Sequence, residues 1–152
     1  MKFLAAHERA LRGTADFPME LYHVTKTHPR YEMPFHWHME IELLRVLSGD
    51  FSAMLDGESL TLHPQDALVI YPSTVHGGAP KNCVYECIVI DVDKFLGSNN
   101  TLHKQYSALS SLGKRFSPVL PPDSAPGVLV HSLFDTLDQQ SSYYEFRSVG
   151  LL

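Results

Sequence analysis

His36-Trp37-His38-Met39-Glu40-Ile41-Glu42-Leu43-Leu44-Arg45-Val46-Leu47-Ser48-Gly49 decides how the rest of the chain is read. Side chains alternate along an extended strand, so His36, His38, Glu40 and Glu42 project to one face, and Trp37, Met39, Ile41 and Leu43 to the other. Two imidazoles and a carboxylate converging from one strand suit a metal centre or a polar pocket. A mononuclear site needs about one more ligand from elsewhere. His76 closes the turn Tyr71-Pro72-Ser73-Thr74-Val75-His76 and is the candidate that a neighbouring strand would supply. The same residues equally suit a metal-free interior, with histidines bonded to a polar ligand, to water or to Glu42, and with Glu40 and Glu42 as a solvated rim. His7, His23, His28, His63, His103 and His131 stand outside any such pattern and read as surface or structural residues.

Working outward, residues 19–25 predict a first strand, and His28-Pro29-Arg30-Tyr31-Glu32-Met33-Pro34 a turn or arm. Residues 35–47 predict one long strand closed by Ser48-Gly49-Asp50. Segments 51–55 and 59–62 flank Asp56-Gly57, the dipeptide favoured in a tight type I′ hairpin. A strand at 67–71, a loop at 72–80 and a strand at 84–92 complete an all-β pattern without intervening helices. Beyond Phe95 the character changes. Gly97-Ser98-Asn99-Asn100 reads as a loop, and four prolines fall in 117–126. Ser124 then caps a helix with Pro126 in its first turn, carrying an apolar stripe of Leu129, Leu133 and Leu137. A second helix begins near Ser141 or Ser142. It still runs at Leu151-Leu152 with neither cap nor breaker, and is expected to be cut short. The expected organisation is an N-terminal arm and β-barrel over 1–96, then a mainly helical linker or dimerisation segment over 97–152.

Composition narrows the function. The chain has 152 residues, with 12 Lys and Arg against 17 Asp and Glu, a formal charge of −5. A chain that grips nucleic acid unaided carries a basic excess, so any service to DNA is indirect. No apolar run approaches the roughly 18 residues that cross a bilayer, and the N-terminal residues lack a signal-peptide core. Cys83 and Cys87 lie on one strand, where four residues span roughly 13 Å, too far for a disulfide. They read as buried thiols of a reducing cytoplasm. Ser48, Ser73 and Ser107 lack a nucleophile motif, and no phosphate-cradling glycine loop is present, so an enzyme would have to work through a metal.

The run from His36 to Gly49 resembles the first cupin motif: two histidines one residue apart, a glutamate four after the second, and a glycine seven later. Gly57, Pro64, Asp66, Pro72 and His76 follow the order of the second motif, although Gln65 and Thr74 stand where glycine is usual. Over 33–92 the phrasing is most similar to the effector-sensing domains of AraC-type transcription regulators. That resemblance implies a mainly β fold, a cupin double-stranded β-helix (jelly-roll) barrel followed by C-terminal α-helices. It implies a small-molecule effector in the barrel, a homodimer built through the helices, and DNA contact only through a helix-turn-helix domain absent from this chain. His36, His38, Glu42 and His76 correspond to the metal ligands of metal-dependent cupins, for Zn, Ni, Fe or Mn. The same four, with Tyr71 and Tyr85, are expected to line the ligand pocket, and Phe35 and Phe51 suit either pocket or core. No catalysis is expected. The alternative is a stand-alone metal-dependent cupin enzyme, a dioxygenase or isomerase.

Overall fold

The computed structural model describes residues 6–114 and 116–152. Its strands are β1 (Ala6–His7), β2 (Met19–Val24), β3 (Met33–Trp37), β4 (Ile41–Leu55), β5 (Glu58–Leu62), β6 (Ala67–Ile70), β7 (His76–Ile90) and β8 (Val119–Leu120). Its helices are α1 (Val92–Leu96), α2 (Asn100–Gly113), α3 (Ala125–Gln139) and α4 (Tyr144–Leu151).

Two 15-residue strands organise the barrel. β4 and β7 run antiparallel from Ile41↔Ile90 to Leu55↔His76. β6 and β5 pair successive halves of β4, and β2 and β3 pair successive parts of β7. A twisted two-strand ribbon joined on both sides in this way curls into a double-stranded helix of strands. The type I′ hairpin is present, with positive φ at Asp56 (47°) and Gly57 (95°).

The ribbon's inner face changes parity midway. Glu42, Leu44 and Val46 point inward on one half of β4, and Phe51 and Ala53 on the other. An odd step between them needs an irregularity, and the β4–β7 register shifts around Ser48. Gly49 sits there at φ 70°, opposite Asn82 at φ 48°. A Cβ on Gly49 would lie 2.1 Å from the Asn82 carbonyl oxygen, so the position requires glycine. Ser48-Gly49-Asp50 is therefore a bulge inside β4 and not the end of a strand.

Other expectations are corrected nearby. The single strand expected over 35–47 breaks at 38–40, between β3 and β4. The loop expected over 72–80 ends earlier, because β7 begins at His76. Helix α2 occupies a stretch read without a helix, and Asn99, taken for loop, caps it through its side chain to the Leu102 amide.

From Tyr85 to Ile90, β7 is buried on both faces. Cys83, Tyr85 and Cys87 join the inner core, and Ile88 and Ile90 join an outer core beneath α3. The stripe expected to form a dimer contact is mostly consumed here: Leu133 and Leu137 pack on this chain's own barrel, whereas Leu129 is half-exposed. Ser124 caps α3 as expected, with Pro126 in its first turn. Both cysteines are free and buried. No described helix is long and apolar enough to cross a membrane.

Candidate metal centre and adjoining cavity

Three elements converge at one end of the barrel. β3 contributes His36, the break after it contributes His38, and β4 and β7 contribute Glu42 and His76. Cross-strand pairing sets His36 opposite His76, with ring centroids 4.2 Å apart. One ligand atom from each of the four residues lies within 4.8 Å of every other. His38, Glu42 and His76 are buried and His36 is partly so.

The orientation of the rings is informative. His36 Nδ1 lies 2.8 Å from the Pro34 carbonyl oxygen, His38 Nδ1 3.2 Å from that of Glu40, and His76 Nδ1 2.9 Å from that of Thr74. A carbonyl oxygen only accepts, so each Nδ1 carries the proton and each neutral ring presents a bare Nε2 lone pair. The Nε2 atoms of His38 and His76 then face Glu42 Oε2 at 3.1 and 3.3 Å. Lone pairs set against a carboxylate repel unless a cation stands between them. His76 Nε2 is buried, and although near Glu42 it makes no aligned hydrogen bond to any described atom. The set therefore calls for a cation, either a divalent metal or an added proton. Carbonyl-anchored imidazoles with Nε2 free are the arrangement that orients histidine toward a metal, and three histidines with one glutamate suit a divalent transition ion.

Titration follows the geometry. Burial opposes the charge on Glu42, but contacts with His38 and His76 outweigh it and hold the carboxyl well below its usual range. Burial also opposes charge on His76, yet the Glu42 carboxylate raises its pKa. Burial, and then the neighbouring His76, lower that of His36. Burial pushes the Cys87 thiol upward, helped by Glu42, so it stays neutral beside the site.

A cavity of about 260 Å³ opens beside this cluster, and His36 and Glu42 form part of its wall. Tyr85 lines it and anchors the 28–32 turn by donating its hydroxyl hydrogen to the carbonyls of Arg30 and Tyr31. Tyr71 does not line it. Ile70 takes the inward position on β6, so the next side chain points outward, and Tyr71 lies in an apolar groove against α2 near Gly113. Phe51 belongs to the core and Phe35 is half-exposed. Glu40 stays outside the four-residue cluster. Of the histidines read as structural, His7 stacks on Trp37, His23 meets Glu86, and His28 lines the cavity mouth.

Sequence reasoning missed Glu8, Arg12, Tyr22 and Arg30 on the cavity wall. Arg12 is buried, only 4% exposed, and its guanidinium bonds Glu8 and the Tyr22 hydroxyl. Glu8 and Arg12 are four residues apart, but nothing local shows that this pair faces the cavity, where Tyr22 and Arg30 from other segments join it.

The barrel has the double-stranded β-helix architecture of the cupin fold. Residues 23–85 match the family model described as Cupin domain. Among solved structures, an RmlC-like cupin from Shewanella frigidimarina aligns at 19% identity over 48% of this chain and 64% of that one, with TM-score 0.41. An HTH_3 family transcriptional regulator from Vibrio cholerae aligns at 21% identity over 51% of this chain and 45% of that one, with TM-score 0.42. Oxalate decarboxylase from Bacillus subtilis aligns at 17% identity over 38% of this chain and 17% of that one, with TM-score 0.34. A search of curated proteins returned no match.

Proposed function

We propose that this chain is a ligand-sensing cupin module that holds a divalent transition metal through His36, His38, Glu42 and His76 and takes a small-molecule effector in the adjoining cavity. The observation that carries this reading is the set of three rings, each fixed through Nδ1 to a backbone carbonyl, with Nε2 of His38 and His76 on Glu42 and ligand atoms of all four residues within 4.8 Å of one another. A bound metal would be held by His36, His38, Glu42 and His76 and would supply positive charge beside the cavity, whose wall His36 and Glu42 share. The finer reading is the sensing domain of an AraC-like cytoplasmic regulator. It rests on the phrasing around His36–Gly49 and Tyr71–His76 and on the helices that follow the barrel. Effector occupancy would bias the geometry of an attached DNA-binding domain through a difference in affinity between two states. Homodimerisation belongs to this reading, with Val128, Leu129 and Phe146 as exposed apolar candidates on the helices.

Elemental analysis of the purified protein tests the centre. One zinc, nickel, iron or manganese per chain, lost in His38→Ala, is the expected result. A metal-free wild type that also fails to take up added metal would overturn it. The same geometry favours one rival, a metal-dependent enzyme, because the metal would face the cavity. Catalytic turnover of a cavity ligand by metal-loaded protein, in place of simple saturable binding, would decide for the enzyme.

A further inference from the structure

Resting on the reading of the barrel as a ligand-binding module, we propose that the cavity takes a small organic carboxylate with an apolar body. Its carboxyl group would seat on Arg12 and Arg30 in the place that the Glu8 carboxylate now fills. Arg12 Nη2 donates to Glu8 Oε2 at 2.6 Å, and Arg30 Nη1 donates to Glu8 Oε1. Glu8 Oε2 also lies 3.5 Å from His36 Nε2, so this carboxylate stands between two guanidiniums and the edge of the metal set. It occupies the position that an anionic ligand of the cavity would take.

Two features go beyond what a salt bridge pinning the N-terminal segment requires. Arg12 is buried to 4% exposure, and its Nε has no hydrogen-bond partner among the described residues. A guanidinium is costly to bury, and an unused donor raises that cost, so Arg12 keeps charged hydrogen-bonding capacity beyond its pair with Glu8. The wall is also short of free negative charge: among the described residues, Arg12 and Arg30 share the Glu8 carboxylate, while Glu42 is engaged by His38 and His76. The rest of the wall mixes Tyr22, His28, His36 and Tyr85 with the apolar Val24, Met33 and Val89 and the neutral thiol of Cys87. An alkyl or aryl carboxylate would set its charge on the guanidiniums and its body on the apolar part. Paired guanidiniums recognise a carboxylate through parallel charged hydrogen bonds.

Isothermal titration of the full chain with benzoate and 4-methylpentanoate, each against its amide, tests this. At least one carboxylate should bind, and its amide should bind roughly ten- to hundredfold more weakly, since a charged hydrogen bond is replaced by a neutral one. Glu8→Ala removes the internal competitor and should tighten carboxylate binding. Arg12→Gln should weaken it about tenfold or more, and Arg30→Gln, at a more exposed position, should do so with the fold intact by thermal melting. Equal binding of acid and amide overturns the proposal. So does an affinity that Glu8→Ala and both arginine variants leave unchanged, or a failure of all four probes with both wild type and Glu8→Ala. Metal content of the same samples reads the centre separately. Full metal without carboxylate affinity overturns only the anion seat, and carboxylate binding without metal overturns only the metal centre.

Discussion

Each imidazole of the centre is committed through Nδ1 before any ligand arrives, which leaves Nε2 as the titrating and ligating atom. Protons and metal therefore compete for the same atoms. In the metal-free protein Glu42 raises His76 above the ordinary imidazole value of 6.5, so competition begins above that pH. Zinc affinity, measured against a chelating dye, should hold above about pH 8 and fall progressively toward pH 5. An affinity independent of pH over that range would contradict the assigned ligands. Glu42→Gln keeps the shape and removes the charge that balances the ion, and should weaken zinc by at least about tenfold. The four-residue cluster was legible in the sequence because its residue types and spacing are chemical requirements of a site that could hold a metal. Tyr71 was not, because its placement depends on which face of β6 turns inward, and neighbouring Ile70 takes that place.

At the scale of elements, α3 is held by a buried polar junction as well as by its leucines. Arg45 on β4 donates through Nε to Glu86 on β7 at 2.7 Å and through Nη1 to Asp135 on α3 at 2.7 Å, with its guanidinium over the Phe134 ring. Glu86 is buried and also meets His23. Glu86→Gln leaves Arg45 without its buried charge partner and should cost about 3 kcal/mol in urea unfolding, as removal of one member of a buried pair does. Leu133→Ala should cost about 2–5 kcal/mol by the same measurement, since Leu133 is 2% exposed between α3 and the barrel. Leu129→Asp, at a half-exposed position, should leave stability nearly unchanged. If the Leu129 variant proves as costly as the Leu133 variant, the docking face has been misassigned. Helical periodicity marked all three leucines alike, because period reports which residues share a face and not what covers it.

For the whole molecule, charge limits what the domain does by itself. With a formal charge of −5, this chain should give no sequence-specific complex with promoter DNA in fluorescence anisotropy at moderate salt. A specific complex that survives competitor DNA would sink the indirect role. Legible along the chain were the strand-rich architecture, the Asp56-Gly57 hairpin, the Ser124 cap and the residue types of the four-residue cluster. All of these follow from local rules of spacing and residue type. Only the tertiary structure decided how the long strands turn their faces. His76 and Tyr85 lie on one strand at positions of opposite parity, yet both line the interior, because β4 and β7 bulge together at Gly49 and Asn82. A period of two holds only while the ladder is regular, and the bulge is set by the pairing of residues more than 30 positions apart. The same closure sets the local Glu8–Arg12 pair against the cavity wall and Arg30, where desolvation converts ordinary surface residue types into a candidate binding site.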